Sequence, residues 1–314
     1  MGRGGQRRGD RIEPGAFAYV IRQYLASAKF DGLAPASRES YTRYLRIAEH
    51  PDSLGSVPVE QMRPALVQAF LDGLADRPSV QAVARTAIKA VERWAIVRDL
   101  LPGPITLGTE VIKREGGHTP WTDEQVTFAE QHASLPMARA ITLAANTGQR
   151  GSDLVRMRWT DIEDESGHPG INVTQQKTGL QLWVPFTAAL QSSIARWERR
   201  PGFILLKEDG CPFTREQLSN QWLRERDTNA ALAPLRGAGL VLHGLRGTAV
   251  VRLRRAGATV PQISDMVGMS PPMVTRYCRY SVQRENALAA VYRLDRTAIE
   301  KAREKKRGGN DGPV

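Results

Sequence analysis

Two arginines, a lysine, a histidine and a tyrosine occur in an order suited to holding and attacking a phosphodiester. Arg150 lies in Thr147-Gly148-Gln149-Arg150-Gly151-Ser152-Asp153-Leu154, and Arg246 closes His243-Gly244-Leu245-Arg246 well downstream. A guanidinium offers a planar fork that matches two phosphate oxygens, and it stays charged at neutral pH. Lys177, in Gln176-Lys177-Thr178-Gly179, falls at a hairpin tip, where an ammonium can protonate an oxygen leaving phosphorus. His243 and Arg246 are three residues apart, so on a helix they share a face and converge on one ligand. A histidine exchanges protons near pH 7, and Tyr277 supplies a phenol as nucleophile. Each residue alone has a plainer reading: a surface arginine in a helix connection, a solvated turn lysine, a structural histidine. The ordered set Arg, Lys, His-x-x-Arg, Tyr is what points to phosphoryl chemistry. Asp153 stands one turn beyond Arg150, where a carboxylate can orient the guanidinium.

These residues need elements to position them. Gly148 is placed to end one helix and let the next begin sharply beside Arg150. Ile171-Asn172-Val173 and Leu182-Trp183-Val184 flank the Lys177 turn and predict strand, turn, strand. His243–Arg246 opens a helix whose Leu242, Leu245 and Val250 are available for a core. Thr122-Asp123-Glu124-Gln125 is a capping box, and Trp121 and Val126 fit a hydrophobic staple, so a domain begins there. Upstream, the chain from Ala16 to about Asp99 is helical in pattern. Tyr41, Tyr44, Leu45 and Ala48 mark one helix face, and Val80 to Ala95 carries a longer apolar stripe. Beside that stripe Arg85, Lys89 and Arg93 recur every four residues and share a face. That face reads equally as a solvated surface or as one lying on a phosphate backbone. The expected organisation is a basic disordered arm over 1–14, a helical domain over 15–112, a linker over 113–121, a second domain over 122–299 and a basic disordered tail over 300–314. The fold class is mainly α with a small β-hairpin or sheet.

Composition narrows the partners. The 314 residues carry a formal net charge of +11, an excess that favours a polyanion through attraction and counterion release. Nucleic acid fits this better than an anionic membrane, because the basic ends lack an amphipathic apolar face. No apolar run approaches the roughly eighteen residues of a membrane span, and the N-terminus lacks the apolar core of a secretory signal. Two cysteines, Cys211 and Cys278, are too few for a disulfide framework. His50, His118, His132 and His168 are scattered and form no ligand spacing with Cys211, so no metal is expected. The expected location is the cytoplasm, at the nucleoid.

Thr147–Leu154, the Lys177 turn, His243–Arg246 and the late tyrosine together resemble the tyrosine recombinases, the phage-integrase family, over roughly residues 15 to 295. The resemblance implies a helical core-binding domain and a mixed α/β catalytic domain forming a C-shaped clamp on duplex DNA. It also implies a catalytic site of Arg150, Lys177, His243, Arg246 and Tyr277, with Arg85, Lys89 and Arg93 on the DNA-facing side of the first domain. In that family the tyrosine forms a 3′-phosphotyrosyl link without metal or cofactor. Four protomers act on two synapsed sites, and accessory DNA-bending or directionality factors can take part. C-terminal segments dock on a neighbouring protomer, which here would be about Asn286 to Ile299.

Two positions depart from the family pattern. Where a histidine or tryptophan usually follows a glycine, Gly268 is followed by Met269, whose thioether cannot donate a hydrogen bond. Tyr277 also falls one residue early, so that ungapped spacing puts Cys278 at the nucleophile position. Val274-Thr275-Arg276-Tyr277 matches the family's run into its tyrosine, which favours Tyr277, with Tyr280 second. The expected activity is site-specific recombination that integrates or excises a mobile element. The alternatives are a DNA-binding protein that kept the fold and lost the reaction, and a relaxing topoisomerase of the type IB kind.

Overall fold

The computed structural model describes residues 13–112 and 118–279, with residues 287, 290–292 and 294–296 beyond them. Most of the expected arm, the core of the linker, the tail, half of the expected docking segment and Tyr280 lie outside the described residues. Chain contacts divide the molecule into two compact units, residues 1–115 and 116–314.

The first unit is helical: α1 (Phe17–Leu25), α2 (Ala28–Asp31), α3 (Pro35–Glu49), α4 (Pro64–Asp72) and α5 (Pro78–Ile96). Proline occupies the first turn of α3, α4 and α5, where its fixed φ suits the helix and its missing N–H costs no bond. Along α5 the stripe Ala84, Ala87, Ile88, Val91, Trp94 and Ala95 is buried against Phe17, Ile21, Tyr24 and Leu45. Arg85 is half-buried beside that stripe, and its Nε donates to Thr109 Oγ1 at 2.8 Å. Lys89 is also half-buried, and Arg93 is exposed.

The second unit opens on α6 (Asp123–His132), α7 (Leu135–Thr147) and α8 (Gly151–Leu154). Thr122 and Gln125 form the reciprocal capping box of α6, and the flanking Trp121 and Val126 are both buried in the unit's main core. Three antiparallel strands follow, β1 (Ile162–Glu165), β2 (His168–Thr174) and β3 (Gln181–Pro185), in the order β1-β2-β3. Ile171 faces Val184 across the sheet, and both are buried with Val173. β1 carries no sequence signal because three of its four residues are acidic and exposed. Its turn explains it: Ser166 (φ 56°) and Gly167 (φ 83°) join strands in which Glu165 pairs with His168. Two positive-φ residues are what a tight two-residue hairpin needs to match strand twist.

Beyond the sheet come α9 (Ala188–Ala195), α10 (Arg215–Thr228), α11 (Gly244–Arg255), α12 (Val260–Val267) and α13 (Pro271–Cys278). Leu245 joins the main core, whereas Val250, Ile263, Val267, Met269, Val274 and Tyr277 form a smaller cluster among α11, α12 and α13. Residues 118–121 pack on α11 rather than crossing open space. Trp121 exchanges hydrogen bonds with Thr248 Oγ1, and its indole N–H donates to the Val241 carbonyl at 3.0 Å.

Candidate active site

Arg150 owes its place to the end of α7. Gly148 adopts the left-handed conformation (φ 64°) that closes this helix, and Arg150 then caps the N-terminus of α8 with extended backbone. A Cβ on Gly148 would also lie 2.7 Å from Val267 Cγ1, so the turn can sit against α12 only because the residue is glycine. The guanidinium keeps a fifth of its surface open. Asp153 lies one turn on, but the nearer partner is Gln175: Arg150 Nη1 donates to Gln175 Oε1 at 2.7 Å and stands 3.8 Å from Asp153 Oδ2. Asp153 is fully buried, and its Oδ1 accepts from the Gln176 backbone N–H at 2.9 Å. The carboxylate therefore ties the start of α8 to the Lys177 hairpin.

That hairpin continues β2 and β3. Gln175 N–H donates to the Leu180 carbonyl and Gly179 N–H to the Gln175 carbonyl, both at 2.8 Å. Lys177 stands exposed at the tip, between Gln175 and Thr178, whose hydroxyl also donates to Gln175 Oε1 at 3.1 Å. A flexible ammonium on a fixed base suits a donor that must reach a substrate oxygen.

Arg246 is almost wholly buried. Its Nη1 donates to the Gly148 carbonyl at 2.5 Å and its Nη2 to the Gly268 carbonyl at 3.1 Å. The same two glycines that turn the chain after α7 and α12 thus present their carbonyls to one guanidinium. Burial, reinforced by the charge of Arg150, lowers the Arg246 pKa to about 10, while Asp153 and Tyr277 oppose the shift. It remains charged at neutral pH.

His243 immediately precedes α11. Its ring meets His118 edge to face, with centroids 4.8 Å apart and planes at 72°. Partial burial, which strips water from the charged form, then the neighbouring His118, Arg246, Arg150 and Arg215, depress its pKa to about 4. The residue retains exposed surface, and its imidazole is neutral and able to accept a proton at neutral pH. His118 was expected to be one of several scattered histidines; the fold brings it against His243.

Tyr277 lies near the end of α13, with its ring buried against α11 at Gly247. A Cβ there would meet ring carbons at 2.6 and 2.7 Å and Pro120 at 3.0 Å, so glycine makes room for the ring. Tyr277 is electrostatically coupled to Arg246. Burial pushes the Cys278 thiol pKa up, with Arg254 opposing the shift, away from the reactive thiolate. Met269 packs in the small apolar cluster with Tyr277 and Val274.

The structure therefore brings Arg150, Asp153, His243, Arg246 and Tyr277 into one connected cluster, with Lys177 on an anchored hairpin. Arg85, Lys89 and Arg93 belong to the other unit. Sequence reasoning missed Gln149, Gln175, His118 and Arg215. Glutamines carry no charge signature, and Arg215 gave no pattern because it comes from α10, far away in the chain. Among the described residues no group of three or more histidine, cysteine or acidic side chains is placed to hold a metal. No described helix is long and apolar enough to cross a membrane.

This arrangement has relatives. The integrase of Escherichia phage HK022 is 30% identical over 168 residues, covering 51% of this chain and 45% of that protein. The chain spans less than half the length of the three phage integrases that it matches at 29–30% identity. A lambda integrase (75–356) dimer bound to a COC′ core site superimposes with a TM-score of 0.70 at 19% identity, covering 82% of this chain and 94% of that one. A lambda integrase tetramer bound to a Holliday junction gives 0.69 at 18% identity, covering 86% and 78%. These two show the same fold: helices around a small antiparallel sheet. The family model described as the phage integrase family matches residues 123–284, more than half of the chain and the whole stretch that carries Arg150, Lys177, His243, Arg246 and Tyr277; the chain belongs to that family.

Proposed function

We propose that the protein is a site-specific DNA recombinase that cuts and rejoins duplex DNA through a tyrosine-linked intermediate, integrating or excising a mobile element. One observation carries the reading: Arg150, Arg246, His243 and Tyr277, from separate elements, converge through hydrogen bonds, packing and mutual electrostatics. The catalytic domain spans 122–299 and the helical core-binding domain 15–112, where Arg85, Lys89 and Arg93 lie toward the phosphate backbone.

In the forward step the Tyr277 oxygen attacks the scissile phosphorus. The Tyr–O–P bond forms as the P–O5′ bond breaks, leaving a 3′-phosphotyrosine and a free 5′-hydroxyl. The phenol proton passes toward neutral His243, and Lys177 delivers a proton to the leaving 5′-oxygen. Arg150 and Arg246 hold the nonbridging oxygens, and such preorganised charge is often the largest catalytic contribution. Rejoining is the reverse: a 5′-hydroxyl of the partner strand attacks the phosphotyrosine and frees the phenol. The bond energy is conserved in the covalent link, so the cycle needs no cofactor. Four protomers act on two synapsed sites, in line with the lambda integrase tetramer on a Holliday junction, and accessory DNA-bending or directionality factors fit the same scheme. The protein acts in the cytoplasm, at the nucleoid.

Met269 supports a second reading, a DNA-binding protein that has lost the reaction, because an apolar thioether sits where a hydrogen-bond donor is expected. A nicked suicide duplex from the ends of the element, run on a denaturing gel, separates the two. The recombinase gives a covalent protein–DNA band that Tyr277→Phe abolishes and Cys278→Ser and Tyr280→Phe retain. Binding to the site without that band sinks the recombinase reading. Relaxation of a supercoiled plasmid without any special site supports a topoisomerase instead.

A further inference from the structure

The arginine cluster has a support of its own. Gln175 is fully buried at the end of β2, where a primary amide is costly unless all its hydrogen bonds are met. They are met: Oε1 accepts from Arg150 Nη1 at 2.7 Å and from the Thr178 hydroxyl at 3.1 Å. Nε2 donates to Gln149 Oε1 at 2.8 Å and to the Val267 carbonyl at 2.9 Å. Two acceptor positions and two donor positions are the whole capacity of the group. Gln149 is buried in turn, and its Nε2 donates to the Thr147 carbonyl at 3.1 Å and more weakly to the Met266 carbonyl at 3.4 Å.

This amide joins three pieces of chain: the start of α8, the base of the Lys177 hairpin and the end of α12. The last piece bears directly on Arg246. Val267 precedes Gly268, whose carbonyl accepts from Arg246 Nη2. A Cβ on Gly268 would lie 2.4 Å from Gln175 Nε2, so this turn is glycine both for its φ of 62° and for the closeness of the amide. Arg150 is bonded to Gln175 on one side, and Arg246 is bonded to the turn that Gln175 holds on the other.

We infer that Gln175 is a positioning residue that fixes the Arg150 fork relative to the Arg246 fork, and so sets the phosphate-binding geometry before DNA arrives. The inference rests on the recombinase reading. An amide suits the task better than a carboxylate: it accepts from Arg150 without adding a second negative charge to that of Asp153, which already stands 3.8 Å away. Arg246 also bonds the Gly148 carbonyl, independently of the turn that Gln175 holds, so the loss should be expressed chiefly through Arg150.

The test is a double-mutant cycle on single-turnover cleavage of the nicked suicide duplex, using Gln175→Ala, Arg150→Lys and the double variant. Arg150→Lys keeps the charge but cannot use a fork. Gln175→Ala should slow wild-type cleavage by about 10²-fold, the order expected for ~1 Å of misplacement. In the Arg150→Lys background it should cost no more than about twofold, within the scatter of independent effects. Equal factors in both backgrounds, or a slowing that only tracks a lowered Tm, would overturn the inference. Gln175→Glu guards against misfolding of the alanine variant. Its carboxylate keeps the bonds to Arg150 and Thr178 but opposes the Gln149 and Val267 oxygens, and it competes with phosphate for Arg150. It should fold and still cleave slowly; wild-type cleavage in this variant counts against the inference. If the wild type binds its site but forms no covalent complex, the recombinase reading fails. Equilibrium affinity for the same duplex then decides about Gln175. Equal losses for Gln175→Ala and Arg150→Lys, with no further loss in the double variant, support it, and losses that multiply overturn it.

Discussion

Replacing Gly247 by alanine sets two forces of known size against each other. Gly247 lies in the first turns of α11, where glycine to alanine should stabilise a helix by about 1 kcal/mol if nothing else changes. Here the added Cβ would sit 2.6 and 2.7 Å from Tyr277 Cε1 and Cδ1 and 3.0 Å from Pro120 Cγ. Carbon atoms in contact prefer about 3.5–4.0 Å, so the ring must move by roughly 1 Å. Overpacking of this kind costs about 1–3 kcal/mol. The net expectation is a destabilisation of about 0–2 kcal/mol, small beside the effect on chemistry. A nucleophile displaced by ~1 Å loses on the order of 10²-fold in rate. Urea melts give the first quantity, and the rate of covalent complex formation on the suicide duplex gives the second. The expected result is a nearly unchanged midpoint with cleavage slowed about a hundredfold. A variant that is more stable by about 1 kcal/mol, the bare helix propensity, and cleaves at the wild-type rate would refute the assignment of Gly247 as the seat of the tyrosine ring.

Other expectations follow from the same cluster. Asp153→Ala strands the Gln176 N–H and leaves the two arginines without their buried counter-charge. Because Arg150 keeps some solvent, the cost should fall at or below the ~3–5 kcal/mol of a fully buried pair, a drop of roughly 10 °C in Tm by thermal melting. His243 carries a depressed pKa in the folded protein, about 4 against 6.5, so between these values the unfolded chain binds the extra proton. Stability should therefore rise with pH across that window and be unaffected by this residue above it. His243→Gln should flatten the slope of melting temperature against pH, and an unchanged slope would show that the imidazole is not held neutral.

A good part of this protein could be read from residue order. Thr122 to Gln125 reads as a capping box, and the structure forms it. The Val80–Ala95 stripe reads as one long helix, and α5 is that helix. The alternating residues around Lys177 read as a hairpin, and β2 and β3 pair there. Such features are local: a cap, a periodicity or a turn depends on neighbours within a few residues. β1 was illegible for the same reason, since an exposed acidic strand has no apolar alternation and its positive-φ turn is Ser166-Gly167 rather than a strong turn pair.

The cluster itself divides along the same line. Arg150, Lys177, His243, Arg246 and Tyr277 were recognisable by type, order and spacing, because phosphoryl chemistry demands charged forks, a proton donor and a nucleophile. Their partners were not. Gln175 and Gln149 are neutral amides that gain meaning only when buried together, and His118 lies far from His243 in the chain. Asp153 was expected to orient Arg150, yet the nearer acceptor is Gln175, since the path of β2 decides which oxygen arrives first. Gly247 looks like any helical glycine until the Tyr277 ring is seen against it. The sequence by itself determined which chemical groups are present and which helices and hairpin carry them. Only the tertiary structure decided which backbone carbonyls hold Arg246, which amide holds Arg150 and which ring lies over which glycine. Those choices depend on close packing between residues far apart in the chain, which no local rule connects.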